Sequence, residues 1–294
     1  MKTLTVFTPT FNRAHTIART YESLCRQTSS DFEWLVIDDG STDNTKELVN
    51  GWIKENKISI KYAYKENGGL HTGYNKAIEL MNTEICVCID SDDWMPDNAV
   101  EVIVDFWEVK GGNNYSGIIG KDYTPNGKAI GNEFPNLESV HIIELMSRYK
   151  NSGDRKIVMR VDLLKKVFPQ PSFEEEKNFN PIFLILKIDQ EHPFLLLDKN
   201  LCFVDYQQDG MSANIVNQYF NSPNSFVELR KLYVSLKHST FKWRLRQYIH
   251  LVADCRIAKI NPFKIKTKMN KFLLLCSYPL GTALYYYLLN KRTL

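Results

Sequence analysis

Asp90-Ser91-Asp92-Asp93 places three carboxylates within four residues. Acids this close repel one another unless a cation or hydrogen-bond donors neutralise them. Hard oxygen ligands suit Mg2+ or Mn2+, which take one or two carboxylates and complete their shells with phosphate oxygens. A solvated acidic turn would use the same residues, but here the apolar run Ile85 to Ile89 leads in and Trp94 follows. A second acidic turn, Asp38-Asp39-Gly40-Ser41-Thr42-Asp43, follows the apolar run Phe32 to Ile37. A carboxylate there can accept hydrogen bonds from a nucleobase imide or a ribose hydroxyl. An Asp/Gly turn with a helix cap accounts for each residue taken singly. The ligand pattern and closing Glu of a calcium loop are missing.

The elements that must position these turns alternate in type. Leu4 to Thr8 is a short apolar run, and Asn12 to Gln27 has helical spacing through Ile17, Tyr21 and Leu24. Phe32 to Ile37 is the second strand, and Asn44 with Glu47 resembles a capping box opening a helix to about Glu55. Ile58, Ile60, Tyr62 and Tyr64 alternate as a third strand, Gly68-Gly69 opens a helix through Met81, and Ile85 to Ile89 is a fourth strand. This order predicts an α/β fold, a Rossmann-like, mostly parallel sheet with helices on both faces. Ligands of such sheets bind beyond the carboxyl ends of the strands. Thr8–Arg13, Asp38–Asp43, Asn67–His71 and Asp90–Asp93 all fall there. Further on, Gly117 to Gly120 and Lys156 to Arg160 read as strands, Val140 to Tyr149 as a helix, and Leu163 to Val167 as a helical turn.

Thr8-Pro9-Thr10-Phe11-Asn12-Arg13, Val36 to Asp43, Glu66-Asn67-Gly68-Gly69 and Ile89 to Asp93, in that order, resemble the successive signatures of family-two glycosyltransferases with the GT-A fold. The resemblance is to bacterial members that build capsules and exopolysaccharides. It is strong over the N-terminal third and looser to about Asn214. It implies that Thr8, Pro9, Phe11 and Arg13 line a nucleotide pocket in which Asp39, beside Asp38, reads the base, often uracil. Asn67, Gly69, His71 and Asn75 would face the donor, although a buried helix-start histidine accounts for His71 as well. Asp90 and Asp92 would form the D-x-D pair on Mn2+ or Mg2+, with Asp92 the direct ligand and Asp93 beside it. In an inverting transfer a carboxylate takes the acceptor's proton on the opposite face of the sugar. The family carries a Glu-Asp pair, or Glu-x-Glu-Lys, near the position of Phe173-Glu174-Glu175-Glu176-Lys177, so Glu176, then Glu175, is the candidate base. A solvated acidic loop is the competing reading. Tyr206 to Ser212 resembles a Tyr-x-x-Asp-Gly-x-Ser segment of the capsule-type enzymes and is expected to fold over the donor.

Composition bounds the rest. Over 294 residues the chain is 44% hydrophobic and 24% charged, values of an ordinary globular protein. Its net +3 conceals an asymmetry: from Phe226 onward there are 14 Lys/Arg against Glu228 and Asp254, which leaves 23 basic and 32 acidic residues before it. A basic tail of +12 thus follows a body of −9. Residues 1–225 are expected to form the catalytic domain and 226–294 a basic, aromatic-rich helical region. Phe272 to Leu289 is mostly apolar but carries Pro279 and Gly281, which suits an anchor lying on an anionic membrane surface better than a spanning helix. A helical subdomain packed on the core is the alternative. No nucleic-acid-binding motif accompanies the charge. The start MKTLTVFTPT runs straight into a strand, so a cytoplasmic enzyme with reduced thiols is expected, peripheral on the inner face of the plasma membrane. Cys86 and Cys88 then read as small core residues, because C-x-C lacks zinc spacing.

The expected partners are a nucleotide-sugar donor, with UDP favoured, and a saccharide or lipid-linked glycan acceptor. The alternatives are a sugar nucleotidyltransferase, which would carry a Gly-rich phosphate loop where Thr8–Arg13 has no glycine, and a non-catalytic nucleotide- or glycan-binding module, which could dispense with Asp90, Asp92 and Asp93.

Overall fold

The computed structural model describes residues 2–150, 153–205, 215–267 and 269–292. Strands β1 (Leu4–Thr10) and β2 (Phe32–Asp38) are buried along their whole length, as strands covered on both faces must be. With β3 (Ile60–Tyr64) and β4 (Ile85–Cys88) they form a parallel block in the order β3-β2-β1-β4. Four more strands follow: β5 (Gly117–Tyr123), β6 (Ser139–Val140), β7 (Arg155–Arg160) and β8 (Phe194–Phe203). The complete eight-stranded order is β3-β2-β1-β4-β7-β5-β8-β6. β7 runs antiparallel to both β4 and β5, and β6 runs antiparallel to β8. The sheet is therefore mixed, with its parallel block where the sequence predicts it. β5 and β7 are neighbours, and antiparallel neighbours need no crossover helix between them.

Helices α1 (Ile17–Cys25), α2 (Thr45–Glu55), α3 (Leu70–Leu80) and α4 (Ala99–Lys110) alternate with the parallel strands, and helices cover both faces of the sheet. α1 starts at Ile17 rather than Asn12 because Asn12 is left-handed, with φ of 53°, and the Arg13 carbonyl closes a turn on the N–H groups of Thr16 and Ile17. The predicted capping box is not made, since the Asn44 side chain forms no cap bond. Asp43 takes that place, accepting from the N–H of Thr45 at 3.1 Å and of Ala14 at 3.0 Å. Burial opposes its charge, but the Thr45 hydroxyl and these backbone donors hold its carboxyl below the usual range. The core between sheet and helices includes Tyr21, stacked on Trp52 with ring centroids 4.4 Å apart, and the fully buried Trp34. An aromatic contact of this kind contributes roughly 0.5–1.5 kcal/mol beyond its buried area.

The chain divides into two compact units. The first comprises Met1–Gly68, Thr72–Gln170 and Leu184–Asp205 and holds the whole sheet, with α5 (Ile142–Ser147) and α6 (Val161–Val167). The second comprises Gly69–His71, Pro171–Phe183 and Tyr206–Leu294. α7 (Ile182–Asp189) begins in the second and ends in the first. The helical unit thus takes in a loop, 171–183, that the sequence places with the sheet. Its helices are α8 (Ile215–Asn221), α9 (Pro223–Ser235), α10 (Phe241–Ile257) and α11 (Lys271–Lys291). Val227, Val234, Tyr248, Leu251, Val252 and Leu274 form its separate core. Gly281 lets α11 close on α10, for a Cβ there would lie 2.5 Å from the Cβ of Val252. Arg230 pairs with the buried Asp254 at 3.1 Å, and burial raises the Asp254 carboxyl to about 6 despite that cation.

Candidate active site

Because β2, β1 and β4 are adjacent and parallel, their polar ends share one edge of the sheet. At the end of β1, Thr8 is fully buried and its hydroxyl accepts from the Trp34 indole N–H at 3.0 Å. Pro9 lies opposite Ile37 in the ladder. Beyond it Phe11 is 45% exposed. The left-handed Asn12 ties this loop to the next: its N–H donates to Ser41 Oγ at 2.9 Å, and its Oδ1 accepts from the Thr42 N–H at 2.8 Å. The N–H of Arg13 is held by the Thr45 hydroxyl at 3.2 Å.

At the end of β2 the two aspartates differ. Asp38 is fully buried and saturated locally, accepting from the Ser41 N–H at 2.7 Å and the Tyr62 hydroxyl at 2.6 Å. Burial and the Asp38 charge both drive the Tyr62 hydroxyl to hold its proton. Asp39 reaches sideways to the loop after β3. Its carboxylate pairs with Lys65 and accepts the Gly68 N–H at 3.0 Å, while its carbonyl accepts from Asn67 Nδ2 at 2.8 Å. Asn67 therefore fixes the backbone of the residue it adjoins. Asn75, on α3, exchanges a pair of hydrogen bonds with the Gln170 backbone at 2.8 and 2.9 Å.

Beyond β4, the turn Asp90–Asp93 is closed by the Asp93 N–H on the Asp90 carbonyl at 3.0 Å. Helix α1 clamps its backbone, with Thr20 Oγ1 donating to the Asp93 carbonyl at 2.7 Å and Arg19 donating to the Asp92 carbonyl. Arg19 also pairs with Asp205 at 3.0 Å and lies 4.2 Å over the Trp94 ring. The three carboxylates point differently. Asp90 is exposed and Asp92 half-buried. Burial, then the Asp90 charge, raises the Asp92 carboxyl, with Arg13 and Arg19 opposing. Asp93 turns inward, 3% exposed, where it accepts the Asp205 N–H at 3.2 Å. Its other oxygen lies 3.9 Å from the buried ammonium of Lys156, which is also 3.8 Å from Asp122. Burial pushes Asp93 up to about 7 and Asp122 up to about 6. Burial works against the Lys156 charge, but Asp122 and Asp93 outweigh it and hold the ammonium well above its ordinary value.

Among the described residues no three His, Cys, Asp or Glu side chains converge as a ready-made metal cage. The donor set fits Mg2+ or Mn2+ nonetheless, because such ions accept one or two carboxylates and leave the remaining positions to phosphate and water. Asp92 and Asp90 offer that pair. Asp93 is directed to Lys156 instead.

The remaining candidates lie in the second unit. Gly69 has φ of 91°, and a Cβ there would sit 2.0 Å from the Lys177 carbonyl, so only glycine fits. His71 is buried, with its ring 6.0 Å from that of Phe179. Glu176 is 6% exposed and accepts four hydrogen bonds at the start of α9: from the N–H and side-chain amide of Asn224 at 2.9 and 2.7 Å, and from the N–H and hydroxyl of Ser225 at 2.8 and 2.7 Å. It is thereby an anion seated on a helix N-terminus. Glu175 is exposed and left-handed, with φ of 64°. Tyr206 to Ser212 lies outside the described residues. Lys156, Arg19, Lys65 and Tyr62 belong to these turns without any motif in the sequence that singles them out. For Lys156 the available signal was a basic residue opening the apolar run Ile157 to Met159.

The description Glycosyl transferase family 2 matches residues 5–168, more than half of the chain. The chain is 28% identical over 243 residues to the poly(ribitol-phosphate) beta-N-acetylglucosaminyltransferase TarP of Staphylococcus aureus, covering 76% of this chain and 71% of that protein. Its fold is similar to that of S. aureus TarS 1-349 in complex with UDP-GlcNAc, with a TM-score of 0.63 at 19% identity over 98% of this chain and 81% of that one. It is also similar to the mannosyltransferase PcManGT from Pyrobaculum calidifontis in complex with GDP-Man and Mn2+, with a TM-score of 0.55 at 14% identity over 97% and 87% of the two chains.

Proposed function

The chain belongs to glycosyl transferase family 2, and from its GT-A fold and nucleotide-sugar chemistry we propose an inverting, metal-dependent transfer from a UDP-sugar to a saccharide or lipid-linked glycan acceptor. The enzyme would act in surface polysaccharide synthesis, in the cytoplasm at the inner face of the plasma membrane. The observation that carries the proposal is the shared edge of β2, β1 and β4, which brings a hydrogen-bonding acidic turn and an open one to the two sides of the Thr8–Arg13 loop. Membership of this family leaves the nucleotidyltransferase and binding-module readings without support.

In this proposal Asp39, with Lys65 and Asn67 around it, meets the base, and Thr8 to Arg13 lines the nucleoside. The Arg13 guanidinium faces the acidic turn and adds positive charge beside the diphosphate. Asp92 and Asp90 would hold a divalent ion, and when bound it supplies Lewis-acid stabilisation of the departing diphosphate. Lys156 keeps Asp93 out of that shell and fixes the height of the turn, while Arg19 and Thr20 fix its backbone. Gly69 lets the chain turn tightly beside Lys177, His71 is buried at the start of α3, and Asn75 ties the middle of that helix to the Gln170 backbone.

The acceptor hydroxyl needs a carboxylate to take its proton. Both oxygens of Glu176 are occupied by the four donors at the start of α9, which leaves its carboxylate committed to the fold rather than to an acceptor. Glu175, exposed and held in a strained backbone conformation of the kind that gathers at functional sites, is the base in this proposal. Glu176 seats its loop on α9. This reverses the order read from sequence.

The test is donor turnover with UDP-, GDP- and dTDP-sugars, with Mn2+ and with EDTA, followed by transfer to glycan acceptors. UDP-sugar turnover that needs the metal is expected. Full activity in EDTA, or indifference to UDP-sugars, would sink the proposal.

A further inference from the structure

We propose that the outer face of α11, with the loop that leads into it, is a docking surface for an anionic lipid bilayer. α11 is apolar all round, and such a helix needs cover on every side. One side has it: Leu274, Ser277, Gly281 and Leu288 are buried, and Gly281 closes on α10. The opposite side does not. Phe272, Leu275, Leu280, Tyr286 and Tyr287 recur at helical spacing along it and are 54–70% exposed. From Phe272 to Tyr287 this stripe follows most of the 21-residue helix, about 23 Å.

Charge decides what covers the stripe. The forty residues after Asp254 contain eight Lys/Arg and no acid. At the head of α11, exposed Lys264, Lys266 and Lys271 flank the exposed Phe263 and Phe272 rings, and Lys291 stands exposed at the far end. A second copy laid on this stripe, parallel or antiparallel, would oppose cations to cations with no acid in this segment between them. An anionic leaflet supplies the missing counter-charge and takes apolar side chains and tyrosines to headgroup depth. A spanning arrangement would need α11 free of α10, whereas its inner face is already committed. The helix therefore lies flat, cations to the phosphates and rings to the acyl boundary. The use of such docking rests on the lipid-linked acceptor proposed above; the surface itself does not.

The experiment uses the full chain and sedimentation with vesicles of phosphatidylcholine, with and without about one third phosphatidylglycerol, across a salt series. Binding to the anionic vesicles alone, released by salt, is expected. Lys264→Gln with Lys266→Gln should weaken it roughly thirtyfold, and Leu275→Glu with Leu280→Glu should abolish it. Both pairs lie on the exposed side, so donor hydrolysis without vesicles should be unchanged. No binding at low salt overturns the proposal. If light scattering then shows a dimer that Leu275→Glu with Leu280→Glu splits, a second copy is the occupant. Salt-resistant binding to both vesicle types overturns it in favour of insertion. Loss of donor hydrolysis in the unmodified chain, with vesicle binding intact, sinks the transferase proposal and leaves this one standing.

Discussion

The two acidic turns of the sheet unit look alike in sequence and are built on opposite plans. At the end of β2 every carboxylate is engaged by neighbouring donors: Asp38 by Ser41 and Tyr62, Asp39 by Lys65 and Gly68, Asp43 by Ala14 and Thr45. Beyond β4 the backbone is clamped by Arg19 and Thr20, Asp93 is drawn under to Lys156, Asp90 is left exposed and Asp92 half-buried. The first turn is rigid and presents a shape. The second concentrates negative charge on a fixed frame, which is what a divalent ion requires. Acid count alone does not separate the two plans; the direction of the donors does.

That contrast can be broken at either turn. Asp92→Asn should lower metal-dependent turnover on the order of a thousandfold, with an unchanged unfolding transition; normal Mn2+-dependent rates in the variant would erase the distinction. Asp38→Asn should do the reverse, costing roughly 1–3 kcal/mol of stability in urea unfolding while leaving the metal response in place. The glutamate pair is the same contrast in the helical unit. Glu175→Gln should slow transfer by about a hundredfold or more with UDP affinity intact, and Glu176→Gln should chiefly destabilise the fold. A dead Glu176→Gln that unfolds normally would return the base to Glu176.

Lys156→Met leaves Asp93 and Asp122 buried without a cation and should cost about 3–5 kcal/mol. Adding Asp122→Asn should recover much of that loss, and a lack of recovery would mean that Lys156 acts on something other than this pair. The smallest effect belongs to the recognition turn. Asp39→Ala should weaken UDP binding by roughly 1–3 kcal/mol, and calorimetry showing equal affinity would remove Asp39 from the base pocket.

Much of this was legible from local pattern. The alternation of apolar runs and helical spacing through Met81 foretold the parallel block, and the polar clusters after each run foretold its loaded edge. What escaped came from pairing across distance. That Asp93 faces a cation while Asp92 faces out depends on β7, some sixty residues later, being antiparallel beside β4. The capping box failed by one residue, because Asp43 could reach both Ala14 and Thr45 and Asn44 could not. Glu176 read as a solvated or catalytic acid, since nothing in Phe173–Lys177 announces that α9 will begin beside it. The apolar run at the tail was plain, but its division into a packed and a bare side needed α10 and Gly281.

The insertion of β7 also sets an order of events during synthesis. Ile85 pairs with Arg160 and Val87 with Val158, so β7 starts where β4 stops, and its early residue Lys156 arrives beside Asp93. A ribosome that has made β4 but not β7 holds a chain with an open strand edge and an acidic turn lacking its buried cation. One later event closes both, pairing the backbone and neutralising the charge together. Nascent chains stalled between the two strands should therefore be the ones a protease cuts and a chaperone retains. Chains stalled just past Arg160 should resist, and equal sensitivity on both sides of that point would mean the early strands mature without it.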